Sequence, residues 1–147
     1  REGALAARFL AEWGVDAMEI SSGLRGERYE GTEFKTKISR PEREAYFRGW
    51  CKAIKREVDI PVMMVGGLRT FALMEEVIEK SEADFVSLCR PFIREPFIVN
   101  KWKNDADYRP TCISCNQCLD TIFQGNRVQC MQEAKGKNKI PGPGADL

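Results

Sequence analysis

Pro61-Val62-Met63-Met64-Val65-Gly66-Gly67-Leu68-Arg69-Thr70 is the stretch on which the fold turns. Its short unbroken apolar run fits a strand buried on both faces, as parallel sheets require. Gly66-Gly67 ends the strand, and Thr70 stands where it can cap a helix with Leu73, Met74, Val77 and Ile78 on one side. Downstream, Ala83-Asp84-Phe85-Val86-Ser87-Leu88 reads as another strand of the buried type, and a short helical stretch runs from Pro91 to about Trp102. Upstream, Asp59-Ile60-Pro61 breaks a helix opened by Ser39-Arg40-Pro41-Glu42, an S-x-x-E box with Pro in the first turn. Phe47, Trp50, Cys51, Ile54 and Val58 trace that helix's apolar face. Before it, Val15 to Ser21 reads as a strand, and Glu2 to Trp13 as a helix with Leu5, Phe9 and Trp13 at four-residue spacing, stopped by Gly14.

The order is therefore α-β-α-β-α-β-α, the pattern of a parallel sheet covered by helices. Three strands are few for such a sheet, because an open one leaves parallel edges exposed. A piece outside the chain is expected to complete the fold. The chain begins with Arg1 inside a helical pattern, as a piece cut from a longer protein would.

Composition narrows the functions. The 147 residues are 43% hydrophobic and 31% charged, an ordinary globular balance. Lys+Arg 23 against Asp+Glu 22 leaves +1, which offers no electrostatic reason for a nucleic-acid or anionic-membrane partner. The absence of histidine removes Ser-His-Asp and Cys-His mechanisms and His-ligated metals from this chain. No stretch approaches the roughly 20 apolar residues of a membrane span, and no signal-peptide pattern opens the sequence. A reducing cytoplasm is the expected compartment, where clustered cysteines more often hold metal than form disulfides.

Two constellations carry chemistry. The first is Val65-Gly66-Gly67-Leu68-Arg69-Thr70 at one strand end with Leu88-Cys89-Arg90-Pro91 at the next. Glycines let a backbone approach an anion, the start of a helix supplies unpaired N–H groups, and barrels bind phosphate on the loops after their last two strands. A plain βα turn with a surface arginine is the alternative. The second is Cys112-x2-Cys115-x2-Cys118-x11-Cys130. A compact triplet wraps three corners of a cuboidal iron–sulfur cluster and a distant cysteine closes the fourth. Zinc, which favours two C-x2-C pairs, and no metal at all are the other readings. Cys51 reads as a small buried side chain, and Cys89 as a packing residue bordering the phosphate turn. Trp13, Trp50 and Phe47 read as core. The polar loop with Arg25, Glu27, Arg28, Tyr29 and Glu30 is either an active-site lid or a solvated connection.

The segments Pro61 to Thr70, Ala83 to Phe92 and Asn100-Lys101-Trp102, with Cys112-Ile113-Ser114-Cys115-Asn116-Gln117-Cys118, resemble the old yellow enzyme (NADH:flavin oxidoreductase) family. The cysteine tail looks like the branch of 2,4-dienoyl-CoA reductase and trimethylamine dehydrogenase. The resemblance implies the C-terminal portion, about three βα units, of a TIM (β/α)8 barrel followed by a Cys-rich tail; a whole barrel takes about 250 residues. It implies a partial FMN-binding barrel domain over 1–103, an iron–sulfur-type segment over 104–134 and a flexible tail over 135–147. Gly66, Gly67, Leu68, Cys89 and Arg90 would hold the FMN phosphate, and Cys112, Cys115, Cys118 and Cys130 a [4Fe–4S] cluster. NAD(P)H would be the co-substrate and a small electron-poor molecule the substrate, with the remaining barrel strands or a second copy as partner. The third cysteine comes one residue earlier than in the family, Cys89 replaces a glycine, and the loop after the sixth barrel strand carries no histidine. No complete catalytic set is expected in this chain. A non-catalytic half-barrel that binds metal and serves as an interaction module is the alternative.

Overall fold

The structure, a computed structural model, describes residues 2–22, 34–38 and 40–136. β2 (Val62–Met64) lies at the centre of a parallel three-stranded sheet, between β1 (Met18–Ile20) and β3 (Phe85–Val86). Met18 pairs with Val62 and Ile20 with Met64 on one side, and Met63 pairs with Phe85 on the other. The helices are α1 (Glu2–Glu12), α2 (Arg48–Lys55), α3 (Phe71–Glu79), α4 (Arg90–Arg94), α5 (Ile98–Asn104), α6 (Gln117–Phe123) and α7 (Met131–Gly136). The chain is thus an α/β unit with α2 and α3 as the crossovers between successive parallel strands.

The core forms around the central strand because, among the described strands, only β2 is flanked on both sides. Val62 and Met64 are fully buried, packed with Cys51, Val77, Leu68, Met74 and Ile98. Asp84 locks the start of β2 by accepting the Val62 N–H at 2.7 Å while pairing with Lys55 at 2.8 Å. Glu82 gathers Arg48 at 2.5 Å and Lys52 at 2.7 Å and so ties α2 to the turn before β3.

Four expectations are corrected. The helix expected from Pro41 onward is broken. A single 3-10 turn at Pro41–Arg43 is followed by extended Glu44 and by Ala45 at φ +48°, and the α-helix begins only at Arg48. Glu44 turns inward there to meet α3, a use of the acid that local periodicity does not encode. Trp13 and Trp50 are 78% and 60% exposed rather than core, whereas Phe47 is buried as expected. α1 buries only Ala7, so Leu5, Phe9, Leu10 and Trp13 face outward, and Trp13 stacks on Phe9 instead. Phe85 is exposed as well, because β3 is an edge strand with no described strand beyond it. Ser39, the charged loop at 25–30 and the tail at 137–147 lie outside the described residues. No described helix is long and apolar enough to cross a membrane.

Candidate functional site

All three strands point their C-terminal ends at one cavity of about 200 Å³, as is usual for ligand sites in parallel α/β sheets. Gly66, Gly67, Leu68, Cys89 and Arg90, the five residues expected to hold a phosphate, all line it, together with Tyr46, Arg69 and Leu119. The turn needs both glycines for two reasons. Their φ angles, +120° at Gly66 and +74° at Gly67, lie in the region that favours glycine. A Cβ on Gly67 would stand 2.7 Å from Tyr46 Cε1, and one on Gly66 2.9 Å from Phe47 Cδ2. The space that the missing side chains leave is therefore filled by two aromatic rings.

The helix start behaves otherwise than expected. The Glu44 carboxylate accepts the N–H groups of Arg69 and Thr70 and the Thr70 hydroxyl, each at 2.8 Å, and so caps α3 from outside. Thr70 caps nothing with its own side chain. The donors available to an anion at this turn thus come from Gly66 to Leu68 and from Arg90, not from those two N–H groups.

Arg90 stands in the wall between this cavity and a second one. Its Nη1 donates to the Lys35 carbonyl at 2.8 Å and to Asn116 Oδ1, and Asn116 in turn donates to the Phe34 carbonyl at 2.7 Å. Cys89 sits at the exposed rim. Partial desolvation pushes its thiol up, against the opposing pull of Arg90, so it is not an activated thiolate.

The second cavity, of about 20 Å³, is lined by all four tail cysteines, Cys112, Cys115, Cys118 and Cys130. Left-handed Ser114 (φ +51°) and Asn116 (φ +62°) coil the triplet around this cavity. Three sulfurs receive N–H donors: Cys112 from Arg69 at 3.5 Å, Cys130 from Arg94 at 3.4 Å and Cys115 from Gln132 at 3.7 Å. Burial pushes the Cys118 thiol up, helped by the neighbouring cysteines. Among the described residues no three His, Cys, Asp or Glu side chains are gathered closely enough to hold one metal ion. The sulfurs surround the cavity rather than a single point. Cys51 lies apart, fully buried, and desolvation pushes its thiol to about 11.

Residues missed by sequence reasoning hold the cysteine loop in place. Glu95 accepts the Thr111 N–H at 2.6 Å, the Thr111 hydroxyl at 2.9 Å, Tyr108 OH at 2.6 Å and Lys101 Nζ at 2.7 Å. Burial alone would raise this carboxyl, but those hydrogen bonds outweigh it and hold it at about 2. Arg69, buried to 8% exposure, donates to the Cys112 carbonyl and to Ser114 Oγ. Its position immediately after the Gly-Gly turn was the only available signal for it; Glu44 and Glu95 carried none.

No protein-family model matches the chain. An NADH oxidase of Thermoanaerobacter brockii is 34% identical over 136 residues, 88% of this chain and 20% of that protein. An NADH-dependent flavin oxidoreductase of Talaromyces variabilis is 28% identical over 96 residues, 63% of this chain and 23% of that protein. The chain belongs to the NADH:flavin oxidoreductase family. Among solved structures, 6-hydroxypseudooxynicotine amine oxidase (HisD) of Pseudomonas geniculata N1 shares its fold with a TM-score of 0.71 at 21% identity, over 96% of this chain and 21% of that one. This family member therefore spans about a fifth of the length of such relatives.

Proposed function

We propose that the chain is the C-terminal part of an FMN-dependent NAD(P)H:flavin oxidoreductase, contributing the FMN-phosphate site and a [4Fe–4S] site but not the complete active site. The observation that carries this reading is the meeting of Gly66, Gly67, Leu68, Cys89 and Arg90 around one cavity at the C-terminal ends of parallel strands. These five residues come from the loops after two successive strands, as in the phosphate sites of (β/α)8 barrels. In this reading the sheet is the last three strands of such a barrel, and the remaining strands belong to the same full-length protein. The whole protein reduces a small electron-poor substrate with NAD(P)H, and this chain alone is inactive.

FMN, when bound, supplies two-electron chemistry with the nicotinamide and one-electron chemistry with a metal centre. The chain's own part is to hold its phosphate. The Gly66–Leu68 backbone borders the cavity, and the Arg90 guanidinium supplies charge at its wall. The Asn116 and Lys35 contacts keep that guanidinium in place, so it need not be ordered on binding.

The donor set on the second cavity also fits the reading. Four cysteines around one cavity, with N–H donors on three of their sulfurs, suit a thiolate-ligated cluster. This cavity of about 20 Å³ has room for about one water and would have to widen to seat a cluster.

The test uses the full-length protein purified without oxygen. FMN absorbance, iron and acid-labile sulfide are expected. Arg90→Gln is expected to weaken FMN binding about 10- to 100-fold, the loss of a charge-assisted hydrogen bond to phosphate. Full-length protein that binds no FMN overturns the reading. Zinc at one per chain, without iron, replaces the cluster by a structural metal.

A further inference from the structure

Arg69 presents a charge problem that its described surroundings do not solve. Its residue exposure is 8%, and burying a guanidinium is costly unless a counter-charge compensates it. Among the described residues it forms no ion pair with a carboxylate. Glu44, the nearest acid by contact, directs its oxygens to the backbone N–H groups of Arg69 and Thr70 and to the Thr70 hydroxyl. Its Nε is buried without a hydrogen-bond partner. The guanidinium instead faces the cysteine loop, where it meets the Cys112 carbonyl, Ser114 Oγ and, at 3.5 Å from Nη2, Cys112 Sγ. The sulfur that the guanidinium meets is thus that of Cys112, one of the four cysteines around the second cavity.

We infer that Arg69 is a positioning residue for the cysteine centre: it clamps the Cys112–Ser114 turn through both Nη atoms, and its buried charge raises the reduction potential of the centre that Cys112 ligates. The inference rests on the iron–sulfur reading and deepens it. The potential of such a centre depends on nearby charge and on hydrogen bonds to its sulfurs, and Arg69 supplies both from a poorly solvated position. Reduction adds one electron to the centre, and a fixed neighbouring cation stabilises the added charge. Because Arg69 also lines the cavity of the Gly-Gly turn, the residue that sets this potential spans the distance between the two sites.

The experiment is a mediated dithionite titration of the full-length holoprotein, followed by cluster absorbance and EPR, with iron counted in each sample. Arg69→Met is expected to lower the equilibrium constant for one-electron reduction about tenfold, equivalent to about 59 mV toward more negative potential. Arg69→Lys keeps the charge and is expected to stay within about threefold of wild type. Should Arg69→Met not fold, Arg69→Gln keeps a donor and much of the volume without the charge, and carries the same expectation. Loss of iron from the neutral variants but not from Arg69→Lys, with FMN retained, also supports the assignment. An unchanged potential in a neutral variant with full iron overturns it and leaves the iron–sulfur reading standing. Loss of iron from Arg69→Lys as complete as from Arg69→Met overturns the charge-based role. A wild-type holoprotein without iron and sulfide overturns both readings.

Discussion

Glu95→Gln tests whether one carboxylate holds the cysteine loop against the sheet domain. The Glu95 side chain is 6% exposed and accepts four hydrogen bonds, two of them from Thr111, the residue before Cys112. Its fall from an ordinary 4.5 to about 2, at about 1.36 kcal/mol per pH unit, sets a ceiling of about 3 kcal/mol on what ionisation adds to the local structure. Half-exposed Lys101 is a partly screened partner, which brings the expectation to about 2 kcal/mol. Because the folded value is depressed, the contribution is complete above about 4.5 and is lost as pH falls toward about 2. The assay is native-state hydrogen exchange of the segment spanning residues 108–119 in the full-length holoprotein. At pH 7 the Thr111 amide and its neighbours should exchange about 30-fold faster in the variant, and the difference should shrink as pH approaches 3. A change below threefold at pH 7, or a loss undiminished at low pH, refutes the reasoning.

Two further substitutions probe the turn and the helix cap. Gly67→Ala puts a Cβ at φ +74° and 2.7 Å from Tyr46 Cε1, and should destabilise by about 1–2 kcal/mol from backbone conformation alone. A cycle with Tyr46→Ala, read by thermal unfolding, should recover the ring's share; full additivity would show that the ring is not what excludes a side chain. Glu44→Gln removes the charge that serves two N–H groups at the start of α3 and should cost about 1–2 kcal/mol, seen as faster exchange at Arg69 and Thr70. Unchanged exchange at those amides would remove Glu44 from the cap.

The elements nearest the Gly-Gly turn were legible because their signals are local. An apolar run followed by two glycines states a buried strand and a positive-φ turn within a few residues, and the structure has β2 and that turn there. The spacing of Cys112, Cys115 and Cys118 likewise states that three thiols lie within one coil of chain. That Cys130 joins them depends on how α6 and α7 fold back, and is visible only in the cavity the four residues share.

Periodicity failed where burial depends on what lies across the sheet. Leu5, Phe9 and Trp13 have helical spacing, and the helix is there, but among the described residues these side chains stand exposed. The break before α2 was hidden for a related reason: Glu44 leaves the helical path to cap an element 25 residues further on. By itself, then, the sequence determined the alternation of strands and helices, the Gly-Gly turn and the thiol count, since each depends on neighbours along the chain. Only the tertiary structure decided that Arg69 faces Cys112 across 43 residues, that Glu95 pins Thr111, and that Arg90 divides the two cavities. Those contacts join loops that meet at the C-terminal ends of the parallel strands, and no local pattern encodes which side chains will face one another there.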